Sequence, residues 1–509
     1  MAEPPDIETL ARRCLDLWED QVGALAADSQ TTEQIARLFR LMATAAGAAA
    51  DSAGRGEARG NGRGDAQRDV SGEASEGVGA EAGRAKGAGR ADASGSDASG
   101  PAASATASGP GRDAFADLLR RLDALEERIA RLEEAGGGAG PPAAPPAGLP
   151  ESVDPETVAA ALDAEARRRF DAFLTGVERY RRHPYRRTLA DPPVCWQEGT
   201  TRLLDYGAGV AHGAPALLVV PSLVNRAYIL DLAPECSLLR YLAGRGLRPF
   251  LVDWGGPGPV ERAFTLTDYV ARRLEAALDA TVREAGGPVA VVGYCMGGLL
   301  GLALAFRRAG DVRGLACLAT PWDFHAGQPE RARLAGALVP SLEPVLAALG
   351  ELPVDLVQML FALLDPYGVV RKFRDFAALD EASAQARRFV AVEDWLNDGV
   401  PLAAPVAREC LAGWYGDNTP ARGEWRIAGE AVRPGDLRMP SLVVLPDRDR
   451  IVPPDTAAAL AKALPRAARL RPAAGHVGMV VGRDAEARLW RPLAEWLLRL
   501  PDGARRTAL

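Results

Sequence analysis

Gly293-Tyr294-Cys295-Met296-Gly297-Gly298 follows the apolar run Pro288-Val289-Ala290-Val291-Val292 and leads straight into a second apolar stretch, Leu299–Phe306. The first run is short and β-branched, as a buried strand is; the second suits a helix. Between them the chain must turn sharply. Glycines two residues either side of Cys295 let strand and helix backbones pass closely and allow the turn residue a strained conformation. Such a strand–turn–helix is a nucleophile elbow with cysteine in the place usually held by serine. It lifts the thiol above the sheet and sets it at a helix N-terminus, which favours the thiolate.

Working outward, the same rhythm recurs. ALLVVP at 216–221, RPFLVDW at 248–254, LACLAT at 315–320 and PSLVVLPD at 440–447 are short, continuously apolar runs. Helical stretches separate several of them, for example the one carrying Leu238, Leu239 and Leu242. Continuous rather than alternating apolarity predicts a parallel sheet covered on both faces, beginning after about residue 200. With the elbow, this predicts an α/β fold of the α/β-hydrolase type. In that fold an acid follows the nucleophile in the chain and a histidine comes last. The run 441–446 opens into DRDR, which offers Asp447 and Asp449, and His476 lies in AGHVG after a further strand. Asp449 is the preferred acid because it sits farther into its loop. His476 is the expected base, with His325, after TPWDF, as a weaker rival. An oxyanion hole needs two backbone N–H groups. Met296 supplies one, and Val224 or Asn225, in the loop after the first apolar strand, supplies the other. The chemistry this predicts is acyl transfer through a cysteinyl thioester.

Residues 325–435 interrupt the strand rhythm with helical, aromatic-rich sequence and read as a helical cap inserted over the site. The catalytic domain spans 151–509, with a helical lead-in from Pro155 to about Tyr185. Ahead of it, 1–48 reads as a helical N-terminal segment, with two amphipathic helices over 6–48. Residues 49–112 are Gly, Ala, Ser, Asp and Arg with almost no large apolar side chains, and are expected to be disordered. Over 113–136, Phe115, Leu118, Leu122, Leu125, Ile129 and Leu132 keep heptad spacing, which fits a coiled coil or a helix on the domain surface. A Pro/Gly linker, 137–150, follows.

The 67 acidic and 60 basic residues leave a formal charge of -7, too mild to suggest nucleic acid as a partner. Arginine-rich stretches at 179–187 and 371–374 read as solvated faces. No apolar stretch reaches the roughly 18 residues of a transmembrane helix, and the N-terminus lacks a secretory pattern. Six scattered cysteines fit a reducing compartment, and four histidines without a His/Cys cluster predict no metal site. No cofactor is expected.

With Cys295, Asp449 and His476 in place, the sequence from about His183 to Leu498 resembles a polyhydroxyalkanoate synthase. The likeness rests on HPYRR at 183–187, PSLVNRAYILDLAPECSLLRYLAGRG at 221–246, LVDWG at 251–255, LTDYV at 266–270, the elbow, TPWDF at 320–324, DRDRIVPP at 447–454 and AGHVG at 474–478. The resemblance implies polymerisation of (R)-3-hydroxyacyl-coenzyme A (CoA) thioesters into storage polyester with release of CoA. It implies that His476 activates Cys295, and that Asp449 helps activate the 3-hydroxyl of the incoming unit. It also implies cytoplasmic work at granule surfaces as a homodimer. Residues 6–48 and 113–134 faintly resemble the separate helical partner subunit of the smaller synthases. The chain departs from the family at Arg450, where many synthases have His, at Tyr294 and Met296 in the elbow, and over 391–425. A depolymerase, related hydrolase or acyltransferase with a cysteine nucleophile uses the same triad with a different acceptor. A non-catalytic granule-associated protein is the third reading, prompted by the heptad arm.

Overall fold

A computed structural model describes residues 7–9, 11–16, 155–207, 209–211, 213–327, 329–362 and 367–501. Of the expected N-terminal helices over 6–48, residues 7–9 and 11–16 are described and helical. The expected disordered stretch 49–112, heptad helix 113–136 and linker 137–150 lie outside the described residues.

Eight strands make one sheet: β1 Val194–Glu198, β2 Thr201–Asp205, β3 Ala216–Val220, β4 Arg248–Asp253, β5 Val289–Tyr294, β6 Val312–Leu318, β7 Ser441–Val444 and β8 Ala467–Leu470. Their order is β1-β2-β4-β3-β5-β6-β7-β8. From β4 across to β8 every neighbouring pair is parallel. The hairpin β1–β2 adds antiparallel strands at the β4 edge, turning at Gly199 with φ +57°. The sheet therefore starts at Val194, earlier than the expected residue 200. β1 is an edge strand exposed along most of its length, so it lacks the apolar run that marks the central strands.

Why the central strands read as unbroken apolar runs is visible in their partition. In β3, Leu218 and Val220 enter one core, whereas Leu217 and Val219 enter the core on the other face. Helices α1 Pro155–Arg182, α2 Leu238–Gly244, α3 Glu275–Ala285 and α4 Met296–Arg307 come before the insertion. α3 and α4 bury Leu278, Leu299 and Leu300 on the first face, and α2 buries Leu239 and Leu242 on the second.

Between β6 and β7 the chain forms α5 Pro329–Ala337, α6 Val339–Leu349, α7 Val354–Ala362, α8 Gly368–Ala377, α9 Ala384–Asn397 and the π-helical turn Glu409–Gly416. Leu338, Leu342, Leu346 and Trp414 of this insertion join the core on the α4 face. α1 packs on the insertion: Val177 and Tyr180 meet Phe373, Phe376 and Val390. Gly176 is needed there, because a Cβ would fall 1.9 Å from the Phe373 carbonyl oxygen. Phe170 and Leu174 of α1 stay exposed. After β7 come α10 Pro454–Ala463 and α11 Arg491–Leu498. Among the described residues no single helix is long and apolar enough to cross a membrane.

The arginines at 179–187 are only partly a solvated face. Arg187 and Arg240 both pair with Asp231, which is fully buried and also accepts from the Tyr206 hydroxyl. Arg179 donates to the carbonyls of Ala377 and Leu379, tying α1 to the end of α8. A buried carboxylate needs such partners, so these residues act as structural clasps.

Candidate active site

Cys295 closes β5 and caps α4, with φ +57° and ψ -127°. A non-glycine residue there is strained, and its surroundings hold it in place. The Cys295 N–H donates to the Leu318 carbonyl of β6 at 2.8 Å. Any side chain at the flanking glycines would collide with backbone: a Cβ on Gly293 would lie 2.4 Å from the Gly298 Cα, and one on Gly297 would lie 2.1 Å from the Val220 carbonyl oxygen. The glycine pair is thus required by close approach of β5, α4 and the end of β3.

Asp449 arrives from the β7–α10 loop, and His476 from the loop after β8. The His476 Nδ1–H donates to Asp449 Oδ2 at 2.7 Å, which leaves Nε2 for the Cys295 thiol, to which the ring is also hydrogen-bonded. Asp449 Oδ1 accepts the backbone N–H groups of Ile451 and Val452 at 2.9 and 2.8 Å. Three of the roughly four acceptor directions of this buried carboxylate are therefore committed, both of those on Oδ1 among them. Asp447, the alternative acid, is exposed and lies 3.9 Å from Arg448. His325, the rival base, donates through Nε2 to the Tyr415 carbonyl at 2.8 Å.

Burial alone would strip His476 of its charge. The negative charge of Cys295 and hydrogen bonds with Asp449 and Cys295 outweigh that, and the imidazole is pushed up to about 10. The geometry therefore suits an imidazolium held beside the Cys295 sulfur. Tyr294 stacks on the imidazole at 5.2 Å, with its hydroxyl 3.4 Å from the His476 carbonyl. Burial, reinforced by the charges of Cys295 and Asp449, holds Tyr294 well above the usual phenol range, so it serves as a neutral wall of the ring. The sequence offered no sign of this packing beyond the residue itself.

A cavity of about 160 Å³ meets Cys295. Its walls are mostly apolar side chains of the insertion, among them Leu338, Val357, Leu360, Leu411 and Trp414. A cavity near 150 Å³ holds a benzene-sized group, so this one has room for a small apolar group. Val224 and Met296 line it beside the thiol; Asn225, the other oxyanion candidate, is absent from its lining. The Val224 N–H is bonded to the Ser222 hydroxyl at 3.0 Å. The cavity walls were not legible in sequence, because they come from separate helices and a π-helical turn that spacing does not reveal.

Residues 212–338 match the family described as "alpha/beta hydrolase fold". The chain is similar to the poly(3-hydroxyalkanoate) polymerase subunit PhaC of Synechocystis sp., 30% identical over 59% of this chain and 82% of that protein. It is also similar to the subunit of the same name from Haloferax mediterranei, 30% identical over 60% of this chain. The match spans 63% of the Haloferax protein, less than two thirds of its length. A solved monoacylglycerol lipase from Paleococcus ferrophilus is 16% identical, with a TM-score of 0.39 over 59% of this chain and 99% of that one.

Proposed function

We propose, from the premise that this chain belongs to the poly(3-hydroxyalkanoate) polymerase PhaC family, that it polymerises (R)-3-hydroxyacyl-CoA through a thioester on Cys295. The observation that carries this reading is His476 held between Asp449 and Cys295 at an apolar cavity. The Cys295 thiolate attacks the thioester carbonyl, with the developing oxyanion at the N–H groups of Met296 and Val224. The carbon–sulfur bond to CoA breaks, and the His476 imidazolium gives its proton to the departing sulfur. The neutral His476 then takes the proton of an incoming 3-hydroxyl as that oxygen attacks the acyl carbonyl on Cys295; the ester forms, the carbon–sulfur bond to Cys295 breaks, and the Cys295 thiolate is regenerated beside the imidazolium. Asp449 orients His476. The Ile451 and Val452 N–H groups already occupy its other oxygen, which favours the orienting role over direct contact with the hydroxyl. The same reading places the chain in the cytoplasm at polyester granules, working as a homodimer.

Purified full-length protein given 3-hydroxybutyryl-CoA tests this. Release of free thiol together with insoluble polymer is the expected result. Thiol release with soluble 3-hydroxybutyrate instead would make the protein a hydrolase, and release of neither would leave it non-catalytic.

A further inference from the structure

Two stretches far apart in sequence meet at the cavity on Cys295. Pro321 and Phe324 line it from the loop after β6, and Cys410, Leu411, Trp414 and Tyr415 line it from the π-helical turn Glu409–Gly416. The end of a helix leaves carbonyls without an intrahelical partner. Here the Asp417 N–H turns back to the Ala412 carbonyl, the Thr419 N–H turns back to that of Gly413, and residue 420 is proline. The Tyr415 carbonyl is taken instead by a side chain: His325 Nε2–H donates to it at 2.8 Å. Asn418 adds two more ties. Its Oδ1 accepts the Phe324 N–H at 3.0 Å, and its Nδ2 donates at 2.8 Å to Asp323 Oδ1, which also accepts the His325 N–H at 3.1 Å. Asn418 is buried at φ +55°, a backbone that asparagine adopts more readily than most residues. The Phe324 ring stacks on Trp414 and meets Tyr415 edge-on at 4.9 Å. The loop is fastened in turn to the side of the site that carries Asp449, because the Trp322 and Asp323 N–H groups both donate to the Thr456 carbonyl in the first turn of α10.

We infer that His325, with Asp323 and Asn418, forms a latch that holds these two walls together and keeps water from the acyl group on Cys295, an inference that rests on the acyl-enzyme reading above. A polymerising enzyme must hold its thioester until a hydroxyl arrives, and the same carbonyl has to be shielded from water in the meantime. Apolar walls attract one another without direction, so they do not by themselves fix the gap between turn and loop. Hydrogen bonds of set length and angle do. His325 stands behind the cavity wall rather than in it, and acts through the Tyr415 backbone. It is therefore a positioning residue, distinct from the base that sequence order made it a rival to.

The test follows 3-hydroxybutyryl-CoA, turned over by full-length protein, into two products: insoluble polymer and soluble 3-hydroxybutyrate. Loss of the hydrogen bond in His325→Ala should raise the ratio of soluble product to polymer about tenfold. His325→Gln carries an amide N–H donor in place of Nε2–H and should return the ratio to within about twofold of wild type. An unchanged ratio in His325→Ala would overturn the latch, as would a His325→Gln protein that hydrolyses as much as His325→Ala. Should His325→Ala fail to fold, Asn418→Gly takes its place: glycine keeps the left-handed backbone and removes both Asn418 hydrogen bonds, so the ratio should rise there too, and an unchanged one would overturn the latch. If wild-type protein makes no polymer, the polymerase reading falls by itself, and the rate at which iodoacetamide alkylates Cys295, followed by mass spectrometry of its peptide, decides the latch. Faster alkylation in His325→Ala than in wild type and His325→Gln would uphold it, and equal rates in all three would refute it.

Discussion

Gly297→Ala should disable the site while leaving the fold intact. The added Cβ would sit 2.1 Å from the Val220 carbonyl oxygen and 2.5 Å from that of Pro221, whereas real contacts stay above 3.0 Å. Backbone must therefore retreat by about 0.9 Å, from 2.1 Å to 3.0 Å. The part that retreats is the end of β3 and the start of the loop carrying Val224. That motion separates the Val224 N–H from the Met296 N–H on α4. Overpacking of this kind costs about 1–3 kcal/mol of stability. Misplacing one oxyanion donor by about 1 Å should slow acylation of Cys295 roughly 10²-fold. Gly301→Ala is the control: its Cβ would meet Val291 Cγ1 at 3.0 Å and nothing else nearer than 4.0 Å. The assay is the rate of covalent labelling of Cys295 by an acyl thioester, with thermal unfolding run beside it. A folded Gly297→Ala protein that labels at the wild-type rate would refute the argument linking β3, Val224 and the oxyanion.

Asp449→Asn should slow polymer elongation on the order of 10³- to 10⁴-fold, by releasing the His476 ring, while some acylation survives. If Asp447→Asn does that damage instead, the acid has been assigned to the wrong carboxylate. In Cys295→Ala, burial is opposed by Asp449 alone, so the His476 pKa should fall from about 10, measurable by NMR of the imidazole. A value that stays near 10 would mean that Cys295 does not carry the charge that raises it. Removing residues 1–150 deletes Asp16, which pairs with Arg169 of α1 at 2.7 Å on the protein surface. The truncated protein should still acylate Cys295 and differ in sedimentation or granule binding; aggregation of the core would place the arm within the fold.

What could be read in advance was local. Gly293, Cys295 and Gly297 announce their own backbone geometry, since only a close crossing demands glycine at both flanks. Asp449 and His476 could be ordered because each lies in the loop that follows a parallel strand. Other features depend on contacts distant in sequence. Nothing in PVCWQEGTTRLLD stands out as a core strand, because β1 and β2 form a peripheral hairpin, although Gly199 between two short runs is a turn signal. The clustering of Arg187, Arg240 and Tyr206 on Asp231 joins three segments that spacing cannot connect. The cavity at Cys295 is the extreme case. Its walls extend from Ser222 to Val452, and they face one another because α5 crosses the 409–416 turn where Gly336 approaches the Gly416 Cα.

The central claim is that Cys295 becomes acylated by the substrate. Peptide mass spectrometry of full-length protein quenched after brief exposure to 3-hydroxybutyryl-CoA tests it directly. The account predicts one or more 3-hydroxybutyryl units on the peptide containing Cys295, with none on that peptide in Cys295→Ala. Wild-type protein that makes polymer while the Cys295 peptide stays unmodified, or a Cys295→Ala variant that still makes polymer, would contradict it.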